Sequence, residues 1–187
     1  MARVEVPSAR ATIDDTPDGL VVTIPARRKW SMILFLPFWL IVWAIAEFGV
    51  TYHLFSAKSP MTTNLFLAVW LGGWTAGGGL AAYAWLWSVF GKEVIVLGQT
   101  NFKTKRAIAG FGPAREYDLA DMKNLRIDRR PVSPYNFATA ELFGGGKIAF
   151  DYGAKTFGFA AGVDEAEARE LIRRFKSRHR FAEADAE

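Results

Sequence analysis

The sequence predicts an α+β membrane protein in which a transmembrane α-hairpin is inserted into an antiparallel β-domain closed by a C-terminal helix. Three observations predict it. All seven tryptophans fall between Trp30 and Trp87. No residue in 59–91 carries a charge. Beyond Gly91 apolar residues recur at period two in short segments, then once at helical spacing near the C-terminus. The averages over all 187 residues, 51% hydrophobic and 22% charged, resemble an ordinary soluble domain only because two populations are added together.

Residues 1–29 read as a β-hairpin, with strand at 11–14, a Thr16-Pro17-Asp18-Gly19 turn and strand at 20–24. The first apolar run, 30–55, holds one charged side chain, Glu47. It amounts to roughly 39 Å of helix at ~1.5 Å per residue, enough for a hydrocarbon core of ~30 Å with some tilt. It starts behind a polar segment and is too long for a signal-peptide core. The second run, 62–90, also has spanning length, and its Gly72, Gly73, Gly77, Gly78 and Gly79 are tolerated in lipid, where no water competes for backbone bonds. Residues 30–91 are thus a transmembrane hairpin. Arg27, Arg28 and Lys29 precede it and Lys92, Lys103, Lys105 and Arg106 follow it, whereas the connecting loop has only Lys58. The positive-inside rule places both termini in the cytoplasm. Trp30, Trp85 and Trp87 are then expected at the cytoplasmic interface with hydrated indole N–H groups, and Trp39, Trp43, Trp70 and Trp74 deeper.

Two features of the hairpin carry functional expectations. Gly73, Gly77 and Ala81 recur at spacing four and lay a small-residue stripe on one helix face. A short loop favours the first helix as its partner, and self-association is the alternative. Glu47 falls at the depth of Gly73, Trp74 and Thr75, where it can bond the Thr75 hydroxyl or the Trp74 indole. A structural or interfacial carboxylate is favoured over a proton or ion relay, because one acid without a second buried titratable partner makes no pathway.

Residues 92–180 read as the β-domain. Strands are expected at 93–97, 102–108, 115–119, 124–128, 147–152 and 155–159, the first two joined as a hairpin by Gly98-Gln99-Thr100-Asn101. In 124–128 alternation puts Leu125 and Ile127 on one face and Arg126 and Asp128 on the other. A helix follows at about 165–178, with Asp164 and Glu167 as a capping box and Leu171, Ile172 and Phe175 as its apolar stripe. Its acidic start and basic end match the helix macrodipole. Residues 181–187 read as a disordered tail. With both termini on one side of the membrane, the N-terminal hairpin can join the C-terminal strands, giving about eight short strands.

Composition excludes several function classes. Without cysteine there is no disulfide framework, thiolate nucleophile or thiolate-ligated metal, and His53 and His179 are too few for a histidine metal site. The net charge of +4 comes from interspersed charges of both signs, so no nucleic-acid stripe is present. Gly144-Gly145-Gly146 precedes a strand and lacks the helix N-terminus of a phosphate loop. Ser133 has no identifiable base, and Asp118 and Asp121 have no metal-ligand spacing. No catalytic residue and no cofactor are expected. The long loop 129–146, with Pro131, Pro134, Tyr135, Phe137 and Phe143, can dock a partner, dip into the interface or fold back as a lid.

The strand ending in Leu20-Val21-Val22-Thr23-Ile24-Pro25, the tryptophan-rich spans, Phe90-Gly91-Lys92-Glu93 leading into a strand, and Phe157-Gly158-Phe159 before Asp164-Glu165-Ala166-Glu167-Ala168 together resemble small bacterial membrane proteins with a pleckstrin-homology-like domain. The resemblance covers most of the chain as architecture and loose motifs. It implies a bent antiparallel sheet, partly closed as a barrel and capped by the C-terminal helix, and residence in a bacterial inner membrane. Such domains often bind lipid headgroups through basic residues on early strands, which directs attention to Lys103-Thr104-Lys105-Arg106. Lys103, Lys105 and a nearby Arg126, with Arg27, Arg28 and Lys29, are the candidate cations for anionic lipid, at ~1 kcal/mol each near the surface. The expected function is a non-enzymatic, membrane-anchored interaction module for a protein partner or anionic lipid. The alternative is an oligomeric channel or transporter-associated subunit using the glycine stripe and Glu47.

Overall fold

The computed structural model describes residues 10–17, 19–56, 59–128 and 145–182. Lys58, Ser133 and the aromatic residues of the 129–144 stretch lie outside these. The chain divides into two compact units, a β-unit made of Met1–Arg27 and Phe90–Glu187, and a helical unit, Arg28–Val89.

In the β-unit, β1 (Thr12–Thr16), β2 (Gly19–Pro25), β3 (Gly91–Leu97), β4 (Asn101–Ile108) and β5 (Ala114–Asp118) form an antiparallel sheet in that order. The helical segment separates β2 from β3 in sequence, yet the two pair directly, from Leu20 opposite Leu97 to Pro25 opposite Lys92. The helices are therefore an insertion between neighbouring strands. A second antiparallel sheet contains β6 (Met122–Ile127), β7 (Ile148–Tyr152) and β8 (Lys155–Phe159).

Among the described residues the strands form two antiparallel sheets and no closed barrel. The break falls at a 3-10 turn, Leu119–Asp121, where the Asp118 carboxylate accepts the Ala120 N–H at 2.9 Å. This local cap redirects the chain between β5 and β6, which consequently fall in different sheets.

Alternation buries Leu20, Val22 and Ile24 on β2 and Ile95 and Leu97 on β3. The Phe102 ring on β4 meets Phe150 of β7, Phe159 of β8 and Phe175 of the C-terminal helix edge-on, at centroid distances of 5.6, 5.1 and 6.1 Å. Both sheets and the helix thus share one aromatic core. Each such ring contributes ~1.5–3 kcal/mol through burial. The helix itself, α3 (Glu165–Arg178), starts at a capping box in which Asp164 accepts from Glu167 N at 2.8 Å and Glu167 accepts from Asp164 N at 3.1 Å.

β6 departs from simple alternation. Asn124 has φ +54° and the register with β7 shifts between Lys123 and Arg126. This bulge brings Met122 and Leu125, three residues apart, to the same buried side, and leaves Ile127 only partly buried. Past α3, Phe181 is buried and Ala182 bridges Lys123, with its carbonyl accepting from Asn124 N at 2.8 Å. Phe181 and Ala182, past the boundary at 180 drawn from sequence, thus belong to the folded unit.

The helical unit consists of α1 (Trp30–Ser56) and α2 (Met61–Phe90), each long and apolar enough to cross a membrane. No residue of α1 is buried, and in α2 only Gly78 and Trp87 are. Contacts between the two run in opposite directions along them: Trp85 Nε1 donates to Ile33 O at 3.1 Å and Trp43 Nε1 donates to Trp74 O at 3.3 Å. The pair is antiparallel. Trp85 thus spends its indole N–H on a helix carbonyl, and Trp87 is buried, so neither presents the hydrated indole expected from sequence.

Candidate functional site

The cations singled out from sequence fall into separate environments. Arg27 donates to Gly162 O at 3.3 Å and Val163 O at 3.2 Å, which ties the exit of β2 to the loop before α3. Arg28 is exposed and Lys29 partly buried. Lys103 lies opposite Glu116 across β4 and β5 and pairs with it at 3.1 Å. The Glu116 carboxyl is held below its usual range, first by the hydrogen bond from Asn101 and then by Lys103. Lys105, two residues along β4, is partly buried.

Arg126 does not join Lys103 and Lys105. It belongs to β6 of the other sheet, where it grips Asp151 with two bonds, of 2.7 and 3.0 Å. Thr156 and Asn124 also donate to Asp151, at 2.7 and 2.9 Å. The Asp151 carboxyl is lowered to about 2, chiefly by the Arg126 hydrogen bonds and against the opposing effect of burial. An arginine so engaged bridges β6 and β7 across the bulge, and this corrects its grouping as a lipid-facing cation near Lys105.

The residue that sequence reading passed over is Glu93. Its side chain is 6% exposed, the one charged residue buried among the described residues. Burial pushes its carboxyl above the usual 4.5, while the Ala160 and Ala161 N–H groups, at 3.0 and 3.3 Å, and the charge of Arg106 act in the opposite direction. Arg106 faces it directly in the β3–β4 register. The signal was present in sequence: alternation puts Glu93 on the same face as Ile95 and Leu97, where a carboxylate needs partners to be retained.

In the helical unit, the two glycines of the stripe do not receive α1. A Cβ at Gly73 or Gly77 would meet open space, whereas one at Gly78 would overlap the Trp43 ring. Close approach therefore centres on Gly78, one position round the helix from the stripe, and this corrects the favoured intrachain role of Gly73 and Gly77. Glu47 takes the partner expected of it, Thr75, whose Oγ1 donates to Glu47 Oε1 at 2.6 Å. Glu47 Oε2 and Trp74 Nε1 are buried and have no hydrogen-bond partner among the described residues.

Among the described residues, no group of His, Asp and Glu is arranged to hold a metal ion. No protein-family model, curated protein or solved structure matches the chain.

Proposed function

We propose that this chain is a non-enzymatic, membrane-anchored interaction module, in which α1 and α2 span a bacterial inner membrane and hold the β-unit at its cytoplasmic face. The observation that carries the reading is the exposure of the helices. A helix that is apolar all round belongs either in a protein core or in lipid. Phe35, Phe38, Ile45, Phe48, Leu65, Phe66 and Val69 are all exposed, so the described residues supply no such core. Two antiparallel sheets sharing an aromatic core with a C-terminal helix support the pleckstrin-homology-like reading of the β-unit. The partner is a protein or anionic lipid at the membrane surface, and no cofactor takes part.

Alkaline carbonate washing of native membranes, followed by crosslinking and affinity capture, tests the proposal. The chain is expected to stay in the membrane pellet and to bring down a defined partner. Release by carbonate would overturn the anchoring, and purified chain that binds no partner but conducts ions in liposomes would overturn the module.

One observation favours the second reading, an oligomeric channel or transporter-associated subunit: the open faces at Gly73 and Gly77 leave room for a helix of another copy. That reading requires Glu47 to line a pathway.

A further inference from the structure

All but one of the exposed large hydrophobic side chains among the described residues lie between Trp30 and Phe90. The exception is Phe111, 83% exposed, in the turn joining β4 to β5. A single exposed aromatic is ordinary on a protein surface. What distinguishes this one is where the turn lies and how firmly it is held.

The location follows from register. Gly91, the first residue of β3 and the residue after α2, pairs with Ile108, the last residue of β4. Pro25, five residues before α1, pairs with Lys92. The β4–β5 turn is therefore at the end of the sheet where the chain leaves for α1 and returns from α2. Ala109 N donates to the carbonyl of Phe90, the last residue of α2, at 3.4 Å.

The firmness follows from turn chemistry. Ile108 N donates to Phe111 O at 2.8 Å and Phe111 N to Ile108 O at 3.0 Å, closing a two-residue loop. Ala109 and Gly110 both have positive φ, of 50° and 91°, the pattern of a type I′ hairpin. Gly112 has φ +157°, and a Cβ there would collide with the Arg106 carbonyl, so the strand re-enters β5 pressed against β4. Both backbone polar groups of Phe111 are occupied, and its ring alone is left to project.

We propose that Phe111 inserts its ring into the headgroup–acyl boundary of the bilayer that holds α1 and α2, giving the β-unit a third attachment besides its two chain connections. Charge does not decide the placement, since Arg27, Lys92 and Arg106 share this end with Asp164 and Glu165 beside Val163. The apolar ring does. An aromatic two residues from Ala109, whose N–H bonds the carbonyl of Phe90 where α2 ends, is favoured there by the same interface preference that gathers aromatic residues into membrane belts. The inference rests on the membrane-anchored reading above and adds that this rim of the sheet touches lipid.

The chain has no cysteine, so a single introduced thiol can be labelled uniquely in the 187-residue chain. Phe111→Cys, Phe48→Cys in α1 and Gln99→Cys at the opposite end of the sheet would each carry an environment-sensitive fluorophore in phosphatidylcholine vesicles. Shallow nitroxide-labelled lipid then serves as quencher. The expected result is a blue shift and loss of intensity at positions 48 and 111, with neither at 99. Quenching at 48 but none at 111, or equal quenching at 99 and 111, would overturn the inference and leave the anchoring intact. Absence of quenching at 48 would overturn the anchoring and this inference with it.

Discussion

Glu93 and Arg106 face each other across β3 and β4, and the Glu93 carboxylate also accepts the backbone N–H groups of Ala160 and Ala161 from the segment after β8. One buried acid thereby ties the five-stranded sheet to the end of the three-stranded one. The two sheets share no ladder, so outside their common core this polar link and the Arg27 bonds to Gly162 O and Val163 O join them at that edge.

Glu93→Ala is expected to destabilise the β-unit by about 2–3 kcal/mol, because two amides lose their acceptor in a buried setting. Glu93→Gln keeps an acceptor oxygen and should cost less. The pH dependence separates the two effects. The folded-state value is raised above 4.5, so the folded protein holds this proton more tightly than the unfolded chain does. The resulting stabilisation is fully present below the unfolded value and is lost as pH rises through the folded one. Thermal unfolding followed by circular dichroism across this range should show that fall in the parent and its absence in Glu93→Gln.

Asp151 carries the opposite sign. Its carboxyl is lowered from 3.8 to about 2, so its contribution is present above the usual carboxylate range and is lost as pH falls through about 2. Asp151→Asn removes the doubly bonded partner of Arg126 and should cost about 1 kcal/mol at neutral pH, the upper end for a partly exposed pair. The acid limb of the stability profile should flatten in this variant. An unchanged acid limb would show that the Arg126 bridge contributes nothing across the bulge.

Glu47→Gln preserves the oxygen that accepts from Thr75, and Thr75 keeps its second bond, to Leu71 O at 2.8 Å. Its effect on helix-pair stability in detergent should be under about 0.6 kcal/mol, the mean for such bonds between apolar helices. Partner capture should likewise be unchanged. Loss of an ion flux in liposomes on this substitution would instead favour the oligomeric pathway.

The positions of the strands and of α3 were legible because each rests on local chemistry: alternation on β2 and β3, turn residues at 98–101, and the Asp164–Glu167 box. The two long apolar helices were legible from length and the near-absence of charge. What was not legible depended on a single residue's backbone or on partners distant in sequence. Asn124 adopts positive φ and shifts the register of β6, so simple alternation did not show that Met122 and Leu125, three residues apart, share the buried side. Arg126 then found Asp151, 25 residues away, and left the proposed cation group. The two-sheet arrangement turned on a three-residue 3-10 segment that periodicity does not register. In the helices, spacing identified a glycine stripe but could not tell which side faces α1, since five glycines lie within one short stretch and only Gly78 meets Trp43. Glu93 was legible in principle, as a charge on an apolar face.

That assignment of faces yields the sharpest contrast. Gly78→Val would force side-chain atoms into the Trp43 ring, displacing a tryptophan whose indole bonds Trp74 O. Overpacking of this kind costs typically ~1–3 kcal/mol, so the variant should lose helix-pair stability in detergent even as a monomer. Gly77→Val meets open space within the chain and should leave the monomer's thermal unfolding essentially unchanged. If the stripe docks another copy, however, Gly77→Val should dissociate it, and the change would appear in the oligomer size measured by light scattering. A size unaffected by Gly77→Val, with stability lowered by Gly78→Val, would assign close helix packing to the chain's own hairpin and remove stripe-driven assembly from consideration.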